Sequence, residues 1–220
     1  MKVIAVIPAR GGSKSVPLKN IKKINGKPLI EYTIETALKS KKIFKIIVST
    51  DSSTIANVVK KYGEIIIVKR PDYLSSDTST TESCLIHALE TISKDYNIKA
   101  DIVLTLEPTS PFRSLKTIND AIKILTDGKS DSVIGVKESK VCFGLINNDN
   151  SFEHIIKNQP RRRQDRNPIY IESSTIYGTL TKTLIDNQSV LGKNPFPLIV
   201  DKFESIDINE KFDLIVAESY

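Results

Sequence analysis

The sequence predicts an α/β fold: a mostly parallel sheet covered by helices on both faces. Two observations carry this. Short runs rich in Val and Ile recur at residues 3–7, 46–49, 65–68, 102–106 and 132–136, the pattern of strands buried on both sides. Between them lie segments with a single apolar stripe at helical spacing. Strand–helix alternation of this kind gives a sheet whose strands run the same way.

Each element has its own signal. The first run, residues 3–7, reads as a buried strand. It meets Arg10 too soon to serve as a signal peptide, which needs an apolar stretch of about 7–15 residues and a cleavage site. Pro28 stands at a favoured first-turn position of a helix whose stripe is Ile30, Ile34, Ala37 and Leu38. Ile55, Val58 and Val59 mark a shorter helix that Gly63 is expected to end. Leu85, Ala88, Leu89 and Ile92 mark a third, which Thr80 or Thr81 can cap. Ser114 caps a fourth, carrying Ile118, Ala121, Ile122 and Leu125.

The rhythm changes after Lys137. Apolar runs at 141–146 and 152–156 flank the turn-rich tetrad Asn147-Asn148-Asp149-Asn150 and predict a hairpin. A polar, basic stretch (159–168) precedes a strand at 169–177. A helix near 179–187, a short strand at 198–200 and a last helix near 210–219 complete the chain. The whole is expected to form one domain with a small appendage.

Composition narrows the function. Two cysteines, Cys84 and Cys142, make no paired motif, so neither a disulfide framework nor a zinc site is expected; both read as small core residues in a reducing cytoplasm. The two histidines, His87 and His154, leave little scope for His-based metal ligation. No stretch approaches the roughly 20 apolar residues of a membrane span. The formal net charge of +6 suits an acidic small molecule or a nucleic acid.

In parallel sheets, ligands bind beyond the carboxyl ends of the strands. The loops that follow strands, at 8–20, 50–53, 69–81 and 107–113, are therefore where function is expected. The first contains "IPARGGSKSVPLKN". It is not a Walker loop, because Ser13 rather than glycine precedes Lys14, and no dinucleotide fingerprint can be drawn on it. Its chemistry still suits phosphate. Gly11 and Gly12 let backbone amides approach a ligand, and Arg10, Lys14 and Lys19 supply positive charge.

The wording of this loop, followed by "INGKPLIEYTIETA", resembles the acylneuraminate cytidylyltransferases. Four more stretches match that family in order: "VSTDS" (48–52), "RPDYLSSDTSTTES" (70–83), "LEPTSPFR" (106–113) and "ESIDINEKFD" (204–213). The resemblance spans almost the whole chain. It implies an αβα sandwich with a mostly parallel, Rossmann-like sheet of the nucleotide-diphospho-sugar transferase type, plus a small dimerisation subdomain at about 138–178. It implies transfer of CMP from CTP to the anomeric hydroxyl of a nine-carbon 2-keto sugar acid, with release of pyrophosphate, by a cytoplasmic homodimer needing neither nucleic acid nor membrane. Mg²⁺ is the implied cofactor, with Mn²⁺ an alternative.

Carried over by position, Arg10, Lys14 and Lys19 match triphosphate-binding residues, and Ala9, Gly11, Gly12 and Ser13 the backbone cradle. Asn20 matches a ribose and phosphate contact. Arg70, Ser79 and Thr81 fall where cytosine is recognised. Glu107, Thr109, Ser110 and Ser173, with Arg163 and Gln164 reaching a neighbouring subunit, fall on the sugar side. Asp207 matches the first metal-binding aspartate, with Arg10, Lys14 and Lys19 completing the catalytic group.

Three departures from the family pattern bear on this. Asn209 stands where a second metal aspartate is usual; its amide oxygen can ligate but cannot act as a base, which leaves Asp207, a bound water or a metal hydroxide for that role. Glu107 replaces a glutamine. Ser173, in "IESSTIYG", replaces an asparagine. The last two point to an acceptor other than N-acetylneuraminic acid, such as legionaminic acid or another bacterial relative. The alternatives are a synthetase for CMP-KDO or CMP-pseudaminic acid, and, outside enzymes, a basic nucleic-acid-binding protein using Arg161–Arg163. With 6% aromatics and no tryptophan, the chain lacks the usual stacking residues of that last class.

Overall fold

The computed structural model describes residues 1–13 and 15–219. The expected contribution of Lys14 therefore lies outside the described residues. The chain runs β1 (Val3–Pro8), a two-strand turn β2 (Lys23–Ile24) and β3 (Lys27–Pro28), α1 (Leu29–Leu38), β4 (Lys45–Thr50), α2 (Ser53–Val59), β5 (Ile66–Lys69) and α3 (Thr81–Tyr96). It continues through β6 (Ile102–Thr105), α4 (Leu115–Thr126), β7 (Ser132–Ser139), β8 (Gly144–Ile146), β9 (Phe152–His154) and β10 (Ile169–Leu180). α5 (Thr181–Asn187), β11 (Pro195–Val200) and α6 (Lys211–Glu218) close it.

Among the described residues, seven strands form the main sheet in the order β11-β7-β10-β6-β1-β4-β5. β1 pairs in parallel with β4 and β6, and β4 with β5. β10 is the exception, antiparallel to both β6 and β7. The central strands β1 and β6 are buried almost throughout because both faces are covered. One face packs Ile30, Ile34, Ile55, Ile118 and Ile122 against Val3, Ala5 and Ile7. The other packs Leu85, Ala88 and Ile92 against Ile4 and Val6. A third, smaller core joins Val16, Ile24 and Leu29 to Ile208, Leu214 and Ala217. It seats the segment carrying Asp207 beside the first loop.

Helix starts follow the expected chemistry. Thr80 caps α3 by accepting from the Ser83 N–H, and Ser114 caps α4 by accepting from the Thr117 N–H. Four details differ. α2 ends at Val59 with right-handed backbone at Lys60, so Gly63 does not terminate it. Leu38 lies at the last turn of α1 and is exposed, because the stripe is complete by Ala37. Pro28 precedes α1 in extended backbone, closing the small β2–β3 ladder rather than opening the first turn. Cys142 is half-buried beside Gln159, whereas Cys84 is a core residue.

The hairpin expected around Asn147–Asn150 is β8 paired with β9. The appendage is narrower than 138–178, since β10 is built into the main sheet; what leaves the sheet is 140–168. No helix among the described residues is long and apolar enough to cross a membrane.

Candidate active site

The four loops expected to carry function all leave the carboxyl ends of β1, β4, β5 and β6 and gather on one edge. The first is held from below. Ala9 N–H donates to the Ser49 carbonyl at 2.9 Å, and Gly11 N–H donates to Asp51 Oδ1 at 2.9 Å. A side chain at Gly11 would come within 2.9 Å of Ser52 Cβ, so the close crossing of the two loops requires glycine. Among the described residues, nothing lies within 4 Å of a Cβ placed at Gly12. Leu18 takes left-handed backbone (φ 52°), a cost of roughly 1–2 kcal/mol for a non-glycine residue. This turn presents Lys19 and Asn20. Asn20 is buried and donates back to the Arg10 carbonyl at 3.0 Å.

Arg10 reaches across to the loop after β5, donating to Asp77 Oδ1 at 2.9 Å and to the Ser76 carbonyl at 3.3 Å. Arg70 is buried at the root of that loop and donates through Nε to Ser49 Oγ and through Nη2 to the Ser49 carbonyl. Ser79 donates to the Tyr73 carbonyl, and Thr81 opens α3. These residues enclose a cavity of about 260 Å³, lined by Arg10, Ser13, Lys19, Asn20, Arg70 and the start of α3.

A second cavity, of about 430 Å³, adjoins it. Lys19, Thr81, Glu107 and Thr109 line both. The second is bounded further by Glu172, Ser174, Tyr177 and Asp207. A β-bulge in β10 between Glu172 and Tyr177 sets these side chains. It turns Ser174 toward Ser110, hydroxyl to hydroxyl at 3.0 Å, and Tyr177 donates to Glu172 Oε1 at 2.6 Å. Ser173 does not line the cavity: it is buried and pairs with the Thr175 hydroxyl. Sequence position alone could not tell Ser173 from Ser174, because a bulge breaks the two-residue alternation.

Arg163 and Gln164 are exposed on the segment outside the sheet and line neither of these cavities. Arg163 instead borders a third, of about 460 Å³, shared with Lys137, Lys202, Asp207 and Asp213.

Charge is distributed unevenly over the junction. Burial lowers the Lys19 ammonium below its ordinary value, opposed by Asp207 and Glu107. Burial likewise pushes the Glu107 carboxyl up to about 7, against the pull of Arg113 and with a push from Asp207. Arg113, itself buried, donates to the Glu107 carbonyl at 3.0 Å and to the Thr175 carbonyl, tying the loop after β6 to the bulge. Asp207 accepts from Asn209 Nδ2 at 2.8 Å through Oδ2, while its Oδ1 is buried without a partner among the described residues. An unpaired buried carboxylate oxygen is costly unless a cation meets it. The donor set fits a hard divalent ion, which takes one or two carboxylates and completes its shell from substrate and water. Among the described residues no group of three or more acidic, His or Cys side chains is present, so protein ligands alone would not make a closed metal cage.

Asp51, Arg113, Ser174 and Tyr177 were not singled out from the sequence. Asp51 and Arg113 stand inside two of the recognised stretches, at loop positions right after strands, and that placement was the available signal.

A mostly parallel α/β sheet with cationic, glycine-bearing loops converging beyond its strand ends defines a nucleotide-handling transferase. The cytidylyltransferase family model matches residues 4–188, and the chain belongs to that family of CTP-dependent nucleotidyltransferases. The chain is 37% identical to the CMP-N,N'-diacetyllegionaminic acid synthase of Legionella pneumophila, over 99% of this chain and 95% of that one. It is 32% identical to the N-acylneuraminate cytidylyltransferase of Escherichia coli, over 98% of this chain and 51% of that one. In fold it is similar to CMP:2-keto-3-deoxy-manno-octonic acid synthetase, solved with CTP, with a TM-score of 0.68, 16% identity and full coverage of both chains. The family generally uses a divalent metal.

Proposed function

We propose that the chain transfers CMP from CTP to a nine-carbon 2-keto sugar acid of the diacetamido type exemplified by legionaminic acid. The observation that carries this reading is the pair of adjoining cavities that share Lys19, Glu107 and Thr109. The first takes the nucleotide and the second the acceptor, so the α-phosphate lies at the shared wall. The similarity to a legionaminic acid synthase, over nearly the full length of both chains, supports the acceptor class.

Each residue then has a task. Arg10 and Lys19, with Lys14, hold the triphosphate, and the Gly12 amide adds a backbone donor, the Gly11 and Ser13 amides being turned to Asp51 and to the Gly11 carbonyl. Arg10 exchanges Asp77 for phosphate as the nucleotide enters. Arg70 spends two donors on Ser49, which fixes the plane of its guanidinium against the cytosine edge. Asp207 is the residue that holds the divalent ion, Mg²⁺ or Mn²⁺. When bound, that ion supplies positive charge at the phosphoryl oxygens. The acceptor's anomeric hydroxyl attacks the α-phosphorus in line, the new P–O bond forming as the bond to pyrophosphate breaks, and its proton leaves through water to bulk solvent. Lys19 stands where the charge of that step accumulates.

Glu107 reads the acceptor. Below about pH 7 its carboxyl donates a hydrogen bond, and above that it is an acceptor that repels anions. The segment 140–168 carries the cross-strand pair Ile146 and Phe152 exposed on one face of its hairpin, an apolar patch of the kind that pairs subunits, and we assign it to homodimerisation. The enzyme acts in the cytoplasm in this reading.

The test is a panel of sugar acids incubated with CTP and Mg²⁺, with products weighed by mass spectrometry. The highest kcat/KM is expected on a diacetamido nonulosonic acid. Fastest turnover of N-acetylneuraminic acid would overturn the acceptor assignment, and no pyrophosphate release with any acid would overturn the reaction.

A further inference from the structure

Asn209 is a side chain whose two ends face opposite charges. Its Oδ1 accepts from Lys19 Nζ at 3.3 Å, and its Nδ2 donates to Asp207 Oδ2 at 2.8 Å. Its backbone is pinned as well. The N–H donates to Asp213 Oδ2 at 2.8 Å, and the carbonyl accepts from Ser15 Oγ. The same Asp213 oxygen accepts from the Glu210 N–H at 2.9 Å, completing the cap of α6. Asn209 is thus held to the first loop at one end and to the last helix at the other.

The orientation of the amide follows from its neighbours. Turned end for end, it would set its oxygen against the Asp207 carboxylate and its NH₂ against the Lys19 ammonium, two repulsive contacts. A carboxylate at this position has no proton to offer Asp207 near neutral pH. It would add a second negative charge beside the first. The amide instead occupies one Asp207 oxygen and leaves the other, Oδ1, without a partner among the described residues.

We propose that Asn209 is a positioning residue and not a metal ligand: its amide ties Lys19 to Asp207, aiming the ammonium at the triphosphate and leaving Asp207 Oδ1 for the cation. The inference rests on the reading of the first cavity as a CTP site. Half of its consequence needs no metal. A residue that holds Lys19 contributes to CTP binding even when every divalent ion has been removed, whereas a metal ligand contributes nothing under that condition. The bridge also predicts coupling. Once Lys19 is gone, losing the amide costs the metal-free complex nothing more, because neighbours that act through one contact are not additive.

The experiment is calorimetric titration of CTP into the protein in EDTA, for wild type, Asn209→Ala, Lys19→Ala and the double variant. Asn209→Ala is expected to weaken metal-free binding about fivefold and to add nothing in the Lys19→Ala background. An unchanged metal-free Kd for Asn209→Ala would overturn the proposal, as would losses that simply add. Asn209 is solvent-exposed, so the fold should tolerate the change. Asn209→Leu, closer in volume, must repeat the result, and circular dichroism checks that each variant is folded. A wild-type protein that binds no CTP at all would instead overturn the nucleotide reading itself. As a second readout, Mn²⁺ added with a non-hydrolysable CTP analogue should leave Asn209 Oδ1 outside the coordination sphere in a crystal. Its appearance there would sink the inference.

Discussion

The parallel half of the sheet and the half interrupted by β10 hold their site residues differently. On the proposed nucleotide side, polar groups are fastened to the ends of β4 and β1: Arg70 to Ser49, Gly11 to Asp51, Asn20 to the Arg10 carbonyl. On the acceptor side, the groups sit on a bulge and on a segment outside the sheet. Ser174 and Tyr177 are set by irregular backbone, and Arg163 stands exposed. In the proposed reading, nucleotide chemistry is built on regular elements, and the choice among acceptors on backbone that can vary without disturbing the core.

The sharpest way to break this contrast is at the wall between the halves. Asp207→Ala should lower kcat by at least about a hundredfold, with a smaller change in CTP binding, because the divalent ion it would hold acts on negative charge that develops in the transition state. Steady-state kinetics at saturating Mg²⁺ would check it; a loss below tenfold would remove Asp207 from the centre.

Next in size is the nucleotide frame. Arg70→Met should destabilise the fold by roughly 1–2 kcal/mol, since it removes two buried hydrogen bonds and leaves the Ser49 carbonyl to the Ala9 N–H and its hydroxyl to the Cys84 thiol. Urea unfolding measures this, and no change in midpoint would mean the frame is not fastened as described. The acceptor side should respond otherwise. Arg163 lines neither cavity of its own chain, so if it serves the acceptor cavity of a neighbouring subunit, as the family resemblance implies, Arg163→Ala should raise the KM for the sugar acid about tenfold and leave that for CTP nearly unchanged. Equal effects on both substrates would erase the distinction.

The smallest effect is a pH dependence. A carboxyl whose pKa rises from an ordinary 4.5 to about 7 on folding destabilises the protein only where it is ionised. The cost is absent below pH 4.5, grows between 4.5 and 7, and is complete above 7. Glu107→Gln should therefore stabilise the protein at pH 8 by about 1–2 kcal/mol, the full shift being discounted for partial exposure, and by little at pH 4.5. Thermal melts at the two pH values decide it, and equal gains at both would show that packing rather than charge is responsible.

Where the sequence was read well, the signals were local. Apolar runs with flanking stripes located the strands and most helices, and Ser114 and Thr80 announced their caps because capping depends on three consecutive residues. Where it failed, a distant contact decided. Gly63 has the chemistry to end a helix, but α2 had already stopped. Cys142 looked like core by type, yet it lies where the chain leaves the sheet.

By itself the sequence determined the alternation of buried strands and covering helices, and with it the edge on which ligands gather. Both follow from periodicity and from the direction in which parallel strands point. Tertiary structure alone decided that β10 runs against its neighbours, that its bulge offers Ser174 in place of Ser173, and that Asn209 lies between an ammonium and a carboxylate. These depend on residues far apart in the chain, such as Lys19 and Asn209, which meet only when a small third core brings the last segment against the first loop.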